Sequence, residues 1–246
     1  MYLATDLITV PFPAQGGVTS RRYELAYAYR MVNTREVDEY VERVNVRLEL
    51  DMSRPSQGWW TLTLKPDLIE YVGSPGATRF FKAHETQILS LPQFVFTSDE
   101  QGVVDSSRYE ASTLTPITNG HTALLMADIR GTYPGAYRIR EHVLPQHFGG
   151  IDLPLLETLT ASSTATGYQI QIDGKVDRSK FDQANFSQFV KNMIDVHDLR
   201  TRVDLTHEIT YLLDKNGLID QVDAYTETEV ANAYNITFAR TLKKVD

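Results

Sequence analysis

The most regular feature of the chain is a two-residue alternation of apolar and polar positions. Tyr23, Leu25, Tyr27, Tyr29 and Met31 share one parity of the first such stretch. In the next, Val44, Val46, Leu48, Leu50 and Met52 alternate with Arg43, Asn45, Arg47, Glu49 and Asp51. Successive side chains of a strand point to opposite faces, so the pattern predicts antiparallel strands with one face on a core and one in water. Trp60, Leu62 and Leu64 repeat it, as do Tyr168, Ile170 and Ile172. Towards the end, Val203, Leu205, Ile209, Tyr211 and Leu213 share a face with His207, and Tyr234, Ile236 and Phe238 share another.

Turn chemistry supports hairpins between these runs. Asp214-Lys215-Asn216-Gly217 and Asp99-Glu100-Gln101-Gly102 each follow an apolar strand and end on a glycine able to take positive φ. Asp173-Gly174 predicts a tighter turn. One stretch has helical periodicity instead. From Ser179 to Val196, Phe186, Phe189, Val190, Met193 and Ile194 fall on one helical face, with Ser179 as the expected cap and Asp182 in the first turn. Weaker spacing predicts short helices over Arg79–Leu89, His121–Ile129 and Arg138–Leu144.

These elements predict an α+β protein: a curved antiparallel sheet, as a meander or half-barrel, with one long helix and a few short ones packed on it. Glycines and prolines concentrated between Thr115 and Ser163 predict an irregular central crossover within one β-rich domain spanning 1–246. The alternative is a β-rich half over 1–114 and a β-helix-β half over 164–246. In architecture such a chain resembles the half-barrel envelope carriers of the lipoprotein-carrier kind. The resemblance rests on the strand-rich pattern, the Asp-x-x-Gly turns and the helix, and is one of architecture alone.

Composition narrows the chemistry. The 246 residues contain no cysteine, which excludes disulfides, thiolate zinc sites, iron–sulfur clusters and cysteine nucleophiles. A net charge of −8 without a basic cluster argues against nucleic acid as partner. No apolar run reaches the roughly 18 residues of a transmembrane helix. The first residues lack the basic and apolar regions of a signal peptide, which leaves the compartment unassigned.

No nucleophile elbow, phosphate loop or helical metal motif occurs. His142 and His147, five positions apart, read as surface-loop residues. Asp195, His197 and Asp198 cluster at the expected helix end, where an imidazole suits the helix dipole. His207 reads as a core histidine with one hydrogen-bond partner. Asp223, Glu227 and Glu229 share a strand face with Tyr225 and read as a solvated face. No cofactor and no metal is expected. The aromatic residues are the distinctive resource: 13 tyrosines, 10 phenylalanines and 2 tryptophans. The functional reading is a non-catalytic binding module that takes an apolar small molecule or a protein partner on a sheet face, with Tyr27, Tyr29, Trp59, Trp60 and Phe189 as its surface. A structural or assembly component, with homo-oligomerisation open, is the alternative. A hydrolase with a site in the central loops, using His121, His142 or His147, is the second alternative.

Overall fold

The structure is a computed structural model. It describes residues 7–11, 18–33, 38–56, 59–73, 75, 78–79, 93–98, 104–105, 129–148, 151–193, 203–230 and 234–245. Among the described residues thirteen strands run in chain order: β1 (Ile8–Val10), β2 (Val18–Asn33), β3 (Asp38–Ser56), β4 (Trp59–Gly73), β5 (Gln93–Ser98), β6 (Val104–Asp105), β7 (Gly131–Tyr133), β8 (Tyr137–Phe148), β9 (Ile151–Ser163), β10 (Gly167–Val176), β11 (Val203–Asp214), β12 (Ile219–Val230) and β13 (Tyr234–Val245). Helix α1 (Gln183–Met193) lies between β10 and β11. Eleven strands form one open antiparallel sheet in the order β6-β5-β4-β3-β2-β13-β12-β11-β10-β9-β8, and β1 pairs with β7 in a separate two-stranded sheet.

The expected α+β class with a long helix is therefore corrected. The described residues are nearly all antiparallel β-sheet, and among them there is no long helix. The described helix is 11 residues, and its cap is not Ser179. Asp177 holds that serine in a turn by accepting hydrogen bonds from the Ser179 backbone N–H (3.0 Å) and hydroxyl (2.6 Å). Asp182 caps the helix, its Oδ1 accepting the Asn185 N–H at 3.0 Å. The helix expected over Arg138–Leu144 is strand β8. Its partners across the sheet run from Tyr137 opposite Thr160 to Leu144 opposite Leu153. Arg79–Leu89 and His121–Ile129 lie almost wholly outside the described residues, as do Asp99–Gly102 and Asp195, His197 and Asp198.

The expected irregular crossover also changes. Over its later half the glycines and prolines punctuate strands. Pro134 and Gly135 form a single 3₁₀ turn, and β8 and β9 pair as a long hairpin. Asp173-Gly174 lies inside β10 rather than at a turn. The Asp214–Gly217 turn does join β11 to β12. Asp214 Oδ1 accepts the N–H groups of Asn216 (2.8 Å) and Leu218 (2.9 Å), and Gly217 takes φ +75°.

The packed face divides into two apolar clusters. In the first, Tyr23, Leu25, Leu159, Ile170, Ile172, Tyr211, Leu213, Val222 and Leu242 are buried beneath Val10 of β1 and Tyr133 of β7. In the second, Leu153, Leu155, Val203 and Val230 are buried beneath Phe181 and Phe186, the latter on α1. The opposite face is charged and solvated. There Arg47 pairs with Glu24 at 3.1 Å and Arg30 with Glu39 at 2.6 Å, ion pairs of little energetic weight at such exposure. Asp223, Tyr225 and Glu229 of β12 are exposed on it as well.

Candidate functional site

Between the two clusters, one cross-strand row carries most of the polar chemistry of the packed face. Successive registers place Arg140 opposite Glu157, Glu157 opposite Gly174, Gly174 opposite His207, and His207 opposite Thr226. The row continues through Phe238, Tyr29 and Glu42 to Gly73. Its left part is a closed network. Arg140 Nε donates to Glu157 Oε2 at 2.6 Å. Glu157 Oε1 lies 3.2 Å from His207 Nε2, and His207 Nδ1 lies 2.9 Å from Thr226 Oγ1.

Glu157 and His207 belong to strands that are not neighbours. They meet over β10 because Gly174 has no side chain at the crossing. A Cβ there would stand 2.6 Å from His207 Cδ2. Burial alone would raise the Glu157 carboxyl, but the hydrogen bond with His207 and the charge of Arg140 hold it down at about 2. The carboxylate is thus charged and doubly bonded, as a buried anion must be.

A carboxylate, an imidazole and a hydroxyl in series are the parts of an activated nucleophile. Here Glu157 is 0 % exposed, His207 3 % and Thr226 2 %, so no substrate reaches the hydroxyl in this conformation. The network satisfies buried polar groups on β8, β9, β11 and β12. The expected single partner of His207 is corrected to two. His142 is not in a loop but on β8, opposite Leu155, and burial lowers its pKa from the usual histidine value. The side chain of His147, and His121 altogether, lie outside the described residues.

The right part of the packed face differs. Tyr27, Tyr29, Met31, Tyr40, Glu42, Tyr71, Ile236 and Phe238 are all only half-buried. Tyr29 packs on Phe238 with ring centroids 4.9 Å apart, and edge-on to Tyr40 at 5.7 Å. Burial pushes the Tyr27 phenol well above its ordinary pKa, with the Glu42 charge next in effect. Two of the five residues expected from sequence, Tyr27 and Tyr29, thus sit together on the packed face of β2. Trp59 and Trp60 open β4, in register with Thr97 and Phe96, and Phe189 lies in α1. The side chains of these three lie outside the described residues. Sequence reading missed Tyr40, Tyr71 and Phe238 as companions of Tyr29. Extending the Val44–Met52 alternation backwards puts Tyr40 and Glu42 on the same parity, a signal that was legible.

Among the described residues no group of histidine, aspartate and glutamate side chains is arranged to hold a metal ion. No described helix is long and apolar enough to cross a membrane.

No protein-family model matches the chain, and no curated protein matches it in sequence. Its fold is similar to part of lipovitellin, solved in work on lipid–protein interactions in that protein, with a TM-score of 0.55 and 11% identity over 94% of this chain. The match takes in 25% of the lipovitellin chain, so this chain spans about a quarter of that protein's length. Two further structures align at TM-scores of 0.18 and 0.16, too low to support an argument. One is a DUF1329 family protein from Desulfovibrio piger (10% identity, 92% of this chain and 86% of that one). The other is an outer membrane lipoprotein-sorting protein domain from Vibrio parahaemolyticus (11% identity, 92% of this chain and 84% of that one).

Proposed function

We propose that the chain is a non-catalytic binding module that holds an apolar ligand against the β13-β2-β3-β4 part of its packed face. One observation carries the reading. The centre of the packed face over β9–β12 is buried under β1, β7 and α1, with Ile151, Tyr168, Val176 and Leu205 partly buried around it, whereas in the aromatic stretch Tyr27, Tyr29, Tyr40, Tyr71 and Phe238 are all only half-buried. Half-buried aromatic and aliphatic residues beside a few polar groups are the usual composition of a small-molecule site. The fold shared with part of lipovitellin supports the same class of ligand.

Native mass spectrometry of the purified protein, with displacement of an environment-sensitive apolar dye, tests it. Extra mass of lipid size, or saturable dye binding that falls several-fold in Tyr29→Ala, supports the reading. A bare protein that binds no dye at any concentration removes it.

A second reading, an assembly component, has its own observation. β8 is the last strand of the sheet, and on its outer face Tyr137, Ile139 and Val143 are 54%, 66% and 47% exposed. An edge strand with exposed apolar side chains is a template for strand addition. Light scattering distinguishes it: a discrete oligomer that Ile139→Lys converts to monomer supports assembly, and a strict monomer at high concentration opposes it.

A further inference from the structure

Within the half-buried stretch, Glu42 is the one anionic side chain of the described packed face without a cation beside it. Its neighbours are aromatic. Tyr29 stands opposite it on β2, and Tyr40 precedes it by two positions on β3. On the other side its partner is Gly73, and the Tyr71 hydroxyl leans into the space a side chain at 73 would fill, 2.6 Å from an ideal Cβ. Tyr40 donates to Glu42 Oε2 at 3.4 Å, and the Tyr71 hydroxyl hydrogen-bonds to both Glu42 and Tyr40. Among the described residues no lysine or arginine is ion-paired with Glu42, whereas Glu157, the other carboxylate of the row, has Arg140. Arg240 stands one row away, opposite Tyr27.

We propose that Tyr29, Tyr40, Tyr71 and Glu42 form a cage for an ammonium group, so that the ligand is an amphiphile with a cationic nitrogen head and an apolar tail. The proposal rests on the apolar-ligand reading above and specifies the head of that ligand. Tyrosine rings attract a quaternary or primary ammonium through their negative faces, most strongly where water is partly excluded. A half-buried carboxylate among rings loses hydration, and two phenol hydroxyls only partly replace it. A cation restores the balance that Arg140 supplies to Glu157. The phenols report the same field: burial first, then the negative charge of Glu42, raise Tyr40 and Tyr71 above their ordinary pKa. From the cage, Met31, Ile236 and Phe238 continue along the face as a bed for the tail.

Calorimetric titration of the whole chain with three probes tests the cage. The probes are dodecyltrimethylammonium below its micelle concentration, an uncharged dodecyl amphiphile, and tetramethylammonium alone. The expected result is about tenfold tighter binding of the cationic than of the uncharged amphiphile, with tetramethylammonium weaker than either. Glu42→Gln should abolish the difference between the two amphiphiles. Tyr71→Leu, which keeps the charge and removes one wall, should reduce it several-fold and covers the case in which Glu42→Gln does not fold. Equal affinity for the two amphiphiles overturns the cage while leaving the apolar site standing. A difference that persists in Glu42→Gln also overturns it. If neither amphiphile binds, the apolar reading fails. Saturable tetramethylammonium binding lost in Glu42→Gln would then keep the cage as a site for a free small cation, overturning the amphiphile, and its absence removes both.

Discussion

Replacing Gly174 by alanine is the sharpest probe of the buried network. The added Cβ would lie 2.6, 3.1 and 3.2 Å from Cδ2, Cγ and Cβ of His207. These atoms belong to the base of the side chain and cannot swing aside like a flexible tip. The ring is also held at both nitrogens, by Glu157 at 3.2 Å and Thr226 at 2.9 Å. To admit the methyl, the imidazole must move and release at least one partner. Overpacking of this kind costs about 1–3 kcal/mol, and a buried partner left unsatisfied about 1–3 kcal/mol more. The lower entropy of the unfolded alanine chain returns about 0.4–1 kcal/mol. The net expectation is a loss of about 1–6 kcal/mol. Urea unfolding at neutral pH should show it as a lower midpoint with unchanged slope, and thermal unfolding as a drop of roughly 2–20 °C for a chain of this size. In a double-mutant cycle with His207→Ala the two changes should be strongly non-additive, because the clash vanishes with the ring. A Gly174→Ala protein within about 0.5 kcal/mol of the parent, or an additive cycle, would refute the account of how Glu157 and His207 meet.

The remaining predictions concern pH, a turn and a cap. Glu157 is held at about 2 against an ordinary 4.5, so on acidification the unfolded chain takes up its proton first. The resulting stability, about 3 kcal/mol, is present above the unfolded value and lost as pH falls towards about 2. Acid unfolding of Glu157→Gln should lack that part of the slope. Gly217→Ala should cost more than about 2 kcal/mol, since it combines positive φ with a Cβ 2.0 Å from the Pro11 carbonyl oxygen. Gly217→Asn, which tolerates the backbone angle but not the contact, should be no better in the same unfolding measurement. Asp182→Ala should destabilise α1 by about 1 kcal/mol, read as faster amide exchange over Asn185 and Phe186.

What was legible in the sequence follows from how local each signal is. β2, β3, β11 and β13 each declare a buried parity, and the Asp214–Gly217 turn carries its own hydrogen-bonding side chain. β8 was hidden because its polarity is inverted. Arg138, Arg140, His142 and Leu144 occupy the parity that faces Leu159, Glu157, Leu155 and Leu153, while Tyr137, Ile139 and Val143 point outwards. An apolar-in rule misassigns such a strand. The Glu157–His207 contact was illegible for a different reason: it joins residues 50 apart across an intervening strand, and only the sheet order brings them together. The helix was overextended because Ser179 is a plausible cap in isolation, while Asp177 claims its hydroxyl. Of the proposed ligand surface, Tyr27 and Tyr29 could be read from β2 alone. Their grouping with Tyr40, Tyr71 and Phe238 required the register of four strands.

The strand order has a consequence for biosynthesis. From β2 the chain works outwards to β6, reappears at the opposite border in β8, and works back until β13 lies down beside β2. The central seam of the sheet therefore joins segments about two hundred residues apart, and non-local closure of this kind is slow. On the ribosome, the β2 margin emerges early and must wait for nearly the whole of the remaining sheet before it is covered. Through that interval Tyr23 and Leu25, later among the most deeply buried side chains, have no neighbour on the β13 side. A nascent chain arrested before β13 would present an uncovered strand to other chains, so the demand for chaperone protection should fall mainly in the interval before this seam closes.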